Sequence, residues 1–221
     1  MEKIRVVIAD DHTLVRKSII TLLEVDGEFD VVADGENGSE LIRMLKAVTP
    51  PPDVCLLDIS MPEMNGYETI LALKELYPDM KFLILTQLEH EFVIVKMLKA
   101  GASGYMLKTV EPSELKRAIK SIMEQPFYNS KLVNGKLISL VRKGHEYDKF
   151  KISPNEEILL KYCCSDLAYK EIASKMGMPE RTIAFYRQSL FDKLDVQSRT
   201  GLALYALKLG LVPMDEMGDV K

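Results

Sequence analysis

Two things are missing from this chain of 221 residues: an apolar run long enough for a bilayer, and an N-terminal secretory signal. No stretch approaches the roughly 20 apolar residues that a membrane-spanning helix needs. The apolar segment nearest the start, Ile4 to Ala9, is short and runs straight into Asp10-Asp11, unlike the core of a signal peptide. Cysteine is also scarce. The 3 cysteines, two of them adjacent (Cys163 and Cys164), form neither a disulfide framework nor a zinc-ligand pattern. They read as small buried hydrophobes in a reducing compartment. These absences point to a cytoplasmic chain with no membrane partner, long enough for one or two packed domains.

Charge is present but unevenly spread. Residues 1–126 carry 14 basic and 21 acidic side chains, whereas residues 150–211 carry 9 basic and 7 acidic. An acidic first part and a mildly basic later part suggest two modules with different partners. The small basic excess is by itself weak evidence for nucleic acid.

Apolar runs and amphipathic stretches alternate through residues 1–126. Arg5–Ala9, Phe29–Ala33, Val54–Leu57, Phe82–Leu85 and Gly104–Leu107 read as strands. Leu14–Val25, Ser39–Ala47, Tyr67–Tyr77, Glu91–Ala100 and Pro112–Glu124 read as helices, with apolar residues at helical spacing such as Leu115, Ala118, Ile119 and Ile122. Five βα units predict an α/β fold with a doubly wound, five-stranded parallel sheet.

The strand ends carry the chemistry. The first strand ends at Asp10-Asp11, the third at Asp58, the fourth at Thr86 and the fifth at Lys108. In a parallel sheet all of these project from the carboxyl edge, where ligands bind. A lone Asp after a strand more commonly caps a turn or helix; here three carboxylates would crowd together. Two carboxylates about 4 Å apart repel by roughly 4 kcal/mol at an effective dielectric near 20. Such a cluster persists only around a cation or partly protonated. An all-oxygen site with few protein ligands suits Mg²⁺, which keeps waters and accepts phosphate oxygens. Lys108 and the Thr86 hydroxyl complete a pocket for a phosphoryl group.

Those pieces resemble the receiver domain of two-component response regulators. The likeness rests on Asp10-Asp11, the loop from Asp58 to Gly66 (Asp-Ile-Ser-Met-Pro-Glu-Met-Asn-Gly), Leu83-Ile84-Leu85-Thr86, and the run from Gly101 to Lys108. The resemblance implies that Asp58 accepts a phosphoryl group from a phosphohistidine on a sensor histidine kinase. It implies that Asp11, Asp58 and the Ser60 backbone carbonyl hold Mg²⁺, with Asp10 acting mostly through water. Lys108 then pairs with phosphoryl oxygens, Thr86 bonds one of them, and Tyr105 is the switch aromatic. Movement of Thr86 toward the phosphoryl group vacates space for Tyr105, and the helix Glu91–Ala100 presents a different surface. In this family the residues two after the phosphoacceptor and two after the Thr influence water attack. Here they are Ser60 and Leu88, neither suited to orienting a water, so slow self-dephosphorylation is expected.

Residues 127–149 read as a partly ordered linker, with Asn134-Gly135, Gly144 and a run of charges. The piece Leu132–Ile138 is too brief to assign. His145, Glu146 and Asp148 read as solvated linker charges, since no second histidine lies near. A helix then opens with Ser153 as N-cap, Pro154 at its first position and acids in its first turn. Lys170–Met176 reads as a second helix broken at Gly177, a third runs from near Pro179 to Leu194, and a fourth, capped by Ser198, runs to Leu209 and stops at Gly210. Two helices around a short Gly turn form the minimal helix-turn-helix pattern. The tail, residues 213–221, lacks an apolar pattern and reads as frayed.

Ser153 to Val212 resembles the LuxR-type DNA-binding domain, through Glu156-Glu157, Lys170-Glu171-Ile172-Ala173, Arg181-Thr182-Ile183, Lys193-Leu194, Arg199 and Gly210-Leu211-Val212. A receiver (1–126), a linker and a smaller all-α helix-turn-helix domain (150–212) make the pattern of the NarL/FixJ class. It implies a non-enzymatic, phosphorylation-gated transcription regulator that dimerises when phosphorylated and binds double-stranded DNA. The helix Pro179–Leu194 is expected in the major groove. Ala184, Phe185 and Gln188 are the candidates for base edges, with a lean toward A·T-containing half-sites. Lys170, Arg181, Thr182, Arg187 and Lys193 are the candidates for phosphates. Phe185 and Tyr186 read about equally well as helix-packing aromatics. A haloacid-dehalogenase-like phosphatase is disfavoured because Ser60 stands where its second Asp belongs. A protein-binding adaptor that has lost DNA is the other alternative, prompted by the thinly basic third helix.

Overall fold

The computed structural model describes residues 3–89, 91–130, 133, 152–194, 196–208 and 211–212. The chain divides into two compact units, residues 1–142 and 143–221. Most of Leu132–Ile138, the trio His145, Glu146 and Asp148, the stop at Gly210 and the tail 213–221 lie outside the described residues.

The first unit alternates strand and helix: β1 (Ile4–Ala9), α1 (Thr13–Glu24), β2 (Phe29–Gly35), α2 (Gly38–Leu45), β3 (Val54–Leu57), α3 (Gly66–Leu76), β4 (Lys81–Thr86), α4 (Glu91–Ala100), β5 (Gly104–Leu107) and α5 (Pro112–Glu124). All pairings are parallel, in the order β2-β1-β3-β4-β5. Each β-α-β link returns the chain to the same edge of the sheet, so both faces of the sheet are covered by helices. β3 shows the consequence, with all four of its residues buried. On one side Val6, Ile8, Val54, Leu56, Leu83 and Leu85 pack against Leu115, Ala118, Ile119 and Ile122 of α5.

The strand order reverses between β1 and β3, and that break sets the functional edge. Ala9 pairs with Leu57, so the residues that follow, Asp10 and Asp58, leave the sheet side by side. The Asp58 amide donates to the Ala9 carbonyl at 2.9 Å.

The second unit is helical: α6 (Pro154–Cys163), α7 (Tyr169–Lys175), α8 (Glu180–Leu194) and α9 (Arg199–Lys208). Its start is fixed locally by a reciprocal cap. The Ser153 hydroxyl accepts from the Glu156 amide, and the Glu156 carboxylate accepts from the Ser153 amide. Gly177 separates α7 from α8 with φ +64, in open space, so its glycine serves the backbone conformation alone. Leu159, Leu160, Ile172, Ile183, Leu190, Leu194, Leu202 and Ala206 close the core.

Arg199 ties these helices together. Its guanidinium donates to the carbonyls of Tyr162 (3.2 Å), Cys163 (3.2 Å), Ser165 (2.6 Å) and Leu167 (2.6 Å), carbonyls at and beyond the end of α6. Replacing Arg199 by Ala leaves four carbonyls without that donor, so we expect about 2–4 kcal/mol of lost stability confined to this unit. Amide hydrogen exchange on the full chain checks it: α6 and α9 should exchange faster while β1, β3 and β4 stay unchanged. Unaltered protection of α6 contradicts the role.

Candidate functional site

Asp10, Asp58 and Lys108 form the centre of the carboxyl edge. Lys108 Nζ donates to Asp58 Oδ2 at 2.7 Å and to Asp10 Oδ1 at 2.9 Å, pairs with Asp10 Oδ2 at 2.8 Å, and all three side chains are nearly buried. Asp10 Oδ1 also accepts from the His12 amide, and Asp58 Oδ1 from the Ile59 amide at 2.7 Å. The lysine reaches this point because its amide donates to the Thr86 carbonyl, which sets the register where β5 ends. Burial opposes charge on Lys108, but Asp58 and Asp10 more than offset it and hold its pKa above the ordinary value. Burial pushes the Asp58 carboxyl up, with repulsion from Asp10 adding, while Lys108 and the Ile59 amide pull the other way.

Asp11 completes an acidic cluster. Ligand atoms of Asp10, Asp11, His12 and Asp58 all lie within 4.8 Å of one another. Carboxylates at that separation repel by about 3–4 kcal/mol at an effective dielectric near 20. Lys108 answers the repulsion between Asp10 and Asp58 but makes no ion pair with Asp11. Asp11 Oδ1 is enclosed 2.6 Å from His12 Nδ1, yet accepts no hydrogen bond among the described residues. An enclosed carboxylate oxygen without a donor, facing two more carboxylates, fits a hard divalent cation.

The loop after Asp58 is shaped to this site. A Cβ on Gly66 would stand 2.2 Å from the Asp58 carbonyl oxygen, so only glycine lets α3 begin against Asp58. Asn65 caps that helix through the Tyr67 and Glu68 amides, and Glu68 closes the box on the Asn65 amide. Ser60 is half-buried in the same loop. Arg16 is a residue that the motif reading passed over. Its buried guanidinium donates to the Asp10 carbonyl and, through Nε, to Asp34 at 2.9 Å, binding the ends of β1 and β2 from behind the acidic pair. The signal was there: Arg16 shares the inward face of α1 with Ile19 and Leu23, where an apolar residue belongs.

Thr86 and Tyr105 are both buried and meet at one residue, Leu88. The Leu88 amide donates to Thr86 Oγ1 at 3.4 Å, and the Tyr105 hydroxyl donates to the Leu88 carbonyl at 2.8 Å. The Tyr105 hydroxyl is thus turned to the backbone inside the unit and away from water. Beyond Leu88, Val93, Ile94, Val95, Met97 and Leu98 of α4 are buried.

In the second unit Ala184, Phe185 and Gln188 lie on the exposed face of α8, together with Arg181; Lys170 is exposed on α7. Phe185 is 69% exposed, whereas Tyr186 accepts a hydrogen bond from Asn155 Nδ2, so one aromatic faces outward and the other packs toward α6. Gln188 Nε2 donates to Asp192 at 3.0 Å. Thr182 and Arg187 are half-buried. Lys193 corrects an expectation: its Nζ lies 2.8 Å from the buried Glu156 carboxylate and braces α8 against α6, instead of standing as a phosphate-seeking cation. Despite the cost of burial, Lys193, Ser189 and Ser153 hold the Glu156 pKa below its usual value. Cys55 and Cys163 are buried, Cys164 is partly so, and all three are unpaired. Among the described residues no helix is long and apolar enough to cross a membrane.

Because Lys108 lowers the Asp58 pKa, removing it raises that pKa further. In the metal-free protein Lys108→Met should move the Asp58 carboxyl titration upward, read by carboxyl carbon NMR. An unmoved or lowered midpoint contradicts the shared-lysine geometry.

Comparison with known proteins agrees with this layout. Residues 6–120 match the response regulator receiver domain family, and residues 151–206 match the luxR family of bacterial regulatory proteins. The transcriptional regulatory protein DegU of Brevibacillus brevis is 32% identical over 227 residues, covering 95% of each chain. The nitrate/nitrite response regulator protein homolog of Haemophilus influenzae is 33% identical over 198 residues, 90% of this chain and 93% of the relative. RcsB from Salmonella enterica serovar Typhimurium, solved bound to promoter P1flhDC with the phosphomimetic BeF3−, is similar with a TM-score of 0.70 at 26% identity, over 94% of this chain and 100% of that one. The chain belongs to the response regulators in which a receiver domain is joined to a LuxR-type DNA-binding domain.

Proposed function

We propose that this protein is a cytoplasmic, phosphorylation-gated transcription regulator in which residues 1–126 receive a phosphoryl group and residues 150–212 bind double-stranded DNA, joined by the linker 127–149. The observation that carries the reading is Lys108 shared between Asp10 and Asp58 at the strand-order break, beside an Asp11 oxygen with no donor. A phosphohistidine on a sensor histidine kinase is the donor. An Asp58 oxygen attacks phosphorus, the P–N bond breaks with imidazole leaving, and an acyl phosphate remains on Asp58.

Asp11, Asp58 and the Ser60 backbone carbonyl would hold Mg²⁺, with Asp10 acting mostly through water, and the ion when bound supplies positive charge to phosphoryl oxygens. Lys108 gives up part of its contact with Asp58 and pairs with the new oxygens. Thr86 donates its hydroxyl to one of them, which disturbs the Leu88 amide that now leans on it. Tyr105 holds the carbonyl of the same residue, so the charge event reaches the β4–α4 loop through two hydrogen bonds. Phosphorylation thereby favours the dimer and its binding to paired half-sites. Ala184, Phe185 and Gln188 read base edges, with Phe185 offering its ring to a thymine methyl; Lys170, Arg181, Thr182 and Arg187 serve the backbone.

Incubation with a phosphorylated kinase or a small phosphodonor and Mg²⁺ should label the protein once per chain, and Asp58→Asn should abolish the label while leaving thermal unfolding at no lower temperature. Leu88 is 7% exposed, and neither it nor Ser60 carries a carboxylate or amide to orient water. The label should therefore persist for minutes or longer in purified protein. Decay within seconds contradicts slow self-dephosphorylation, and label retained in Asp58→Asn contradicts the acceptor.

A further inference from the structure

Tyr169, the first residue of α7, has two guanidinium groups over its ring. Arg187 Cζ is 4.9 Å from the centre of its ring and Arg199 Cζ is 5.3 Å from it. The two arginines are not equivalent. Arg199 is satisfied by four backbone carbonyls and cannot leave without exposing them. Arg187 comes from α8, and its Nε is enclosed with no hydrogen-bond acceptor among the described residues. A cation–π contact uses the face of a guanidinium, so the Nε–H edge of Arg187 is left with capacity for an anion.

The arrangement has a direction. Arg199 fixes one face of the tyrosine ring, and the fixed ring fixes the plane of Arg187. A second cation at that distance also raises the local positive potential, so a neutral partner for Arg187 is disfavoured against an anionic one. No carboxylate is paired with Arg187 among the described residues. The exposed Lys170 follows Tyr169 directly and adds charge of the same sign. A planar fork with donors to spare, presented from the recognition helix, matches a phosphate oxygen of a nucleic-acid backbone.

We propose that Tyr169 is a positioning residue for DNA: it stacks Arg187 in the orientation that engages a backbone phosphate, with Arg199 as the fixed support behind the ring. The inference rests on the DNA-binding reading and adds to it a residue that itself touches no base. An arginine held in place before binding loses less rotamer freedom on contact.

The test is a salt titration of full-length protein on a random-sequence DNA duplex. Arg187→Ala should lower the slope of log K against log salt by about 0.9, the amount for one phosphate. Tyr169→Leu should weaken binding and lower the slope in the same direction, and should cost nothing further when added to Arg187→Ala. Tyr169→Phe keeps the ring and should behave as the native protein. Tyr169→Leu binding like the native protein, or a loss fully additive with Arg187→Ala, overturns the proposal. If the leucine variant does not fold, the Arg187 Nε–H resonance of the native protein decides: it should be protected from solvent exchange and move when duplex is added. Exchange as fast as for the exposed Arg181 overturns it. A native protein with no salt-dependent binding removes the DNA-binding reading, and this inference with it.

Discussion

One ammonium group answers two carboxylates at the edge of a parallel sheet, and the receiver unit is arranged around that fact. The strand order β2-β1-β3-β4-β5 leaves Asp10 and Asp58 adjacent whatever else the chain does. Their repulsion is worth a few kcal/mol, a substantial fraction of a domain's stability. Lys108, arriving from β5, brings attractions of 2.7 and 2.8 Å that outweigh one repulsion across a longer gap. Asp11 is left out of this settlement. The unit is thus stable as it stands, with Asp11 beside Asp10 and Asp58 and not paired with that ammonium group.

Around that centre, each neighbouring element is tied down by a specific contact. Gly66 lets α3 start against the Asp58 carbonyl, and the Asn65–Glu68 box fixes its first turn. Arg16 holds the Asp10 carbonyl and spans to Asp34. By contrast the Leu88 backbone makes one hydrogen bond on each side, a long one to Thr86 and one from Tyr105, groups that the site itself would recruit. Rigidity at the acidic loop and a lightly held loop after β4 give the charge event somewhere to go. The helical unit uses a buried cation differently. Arg199 is saturated by carbonyls and Lys193 by Glu156, so neither is available to a ligand; the cations left for DNA are those without such partners.

Much of this was legible in the residues. All five strands and five helices of the first unit follow from alternating runs and helical spacing, to within a few residues, because strands buried on both faces leave continuous apolar runs. The meeting of Asp10, Asp11, Asp58 and Lys108 follows from parallel topology alone. Ser153, Pro154 and Glu156 announced the start of α6 through local capping chemistry. What spacing could not show was which face of a helix a long cation chooses. Arg187 and Lys193 are both basic residues on α8, yet one lies on a tyrosine ring and the other is sequestered by a carboxylate from 37 residues earlier in sequence. Phe185 and Tyr186 posed the same difficulty, and only packing against Asn155 separates them.

The most direct test of the central claim replaces Mg²⁺ by paramagnetic Mn²⁺ and follows backbone amide resonances during titration. Broadening should begin at residues 10–12 and 58–60, saturate at one ion per chain, and be lost when Asp11 is changed to Ala. Broadening that spreads over the acidic surface without a first site, or that leaves residues 10–12 and 58–60 sharp, would contradict a divalent-cation site built from these strand ends.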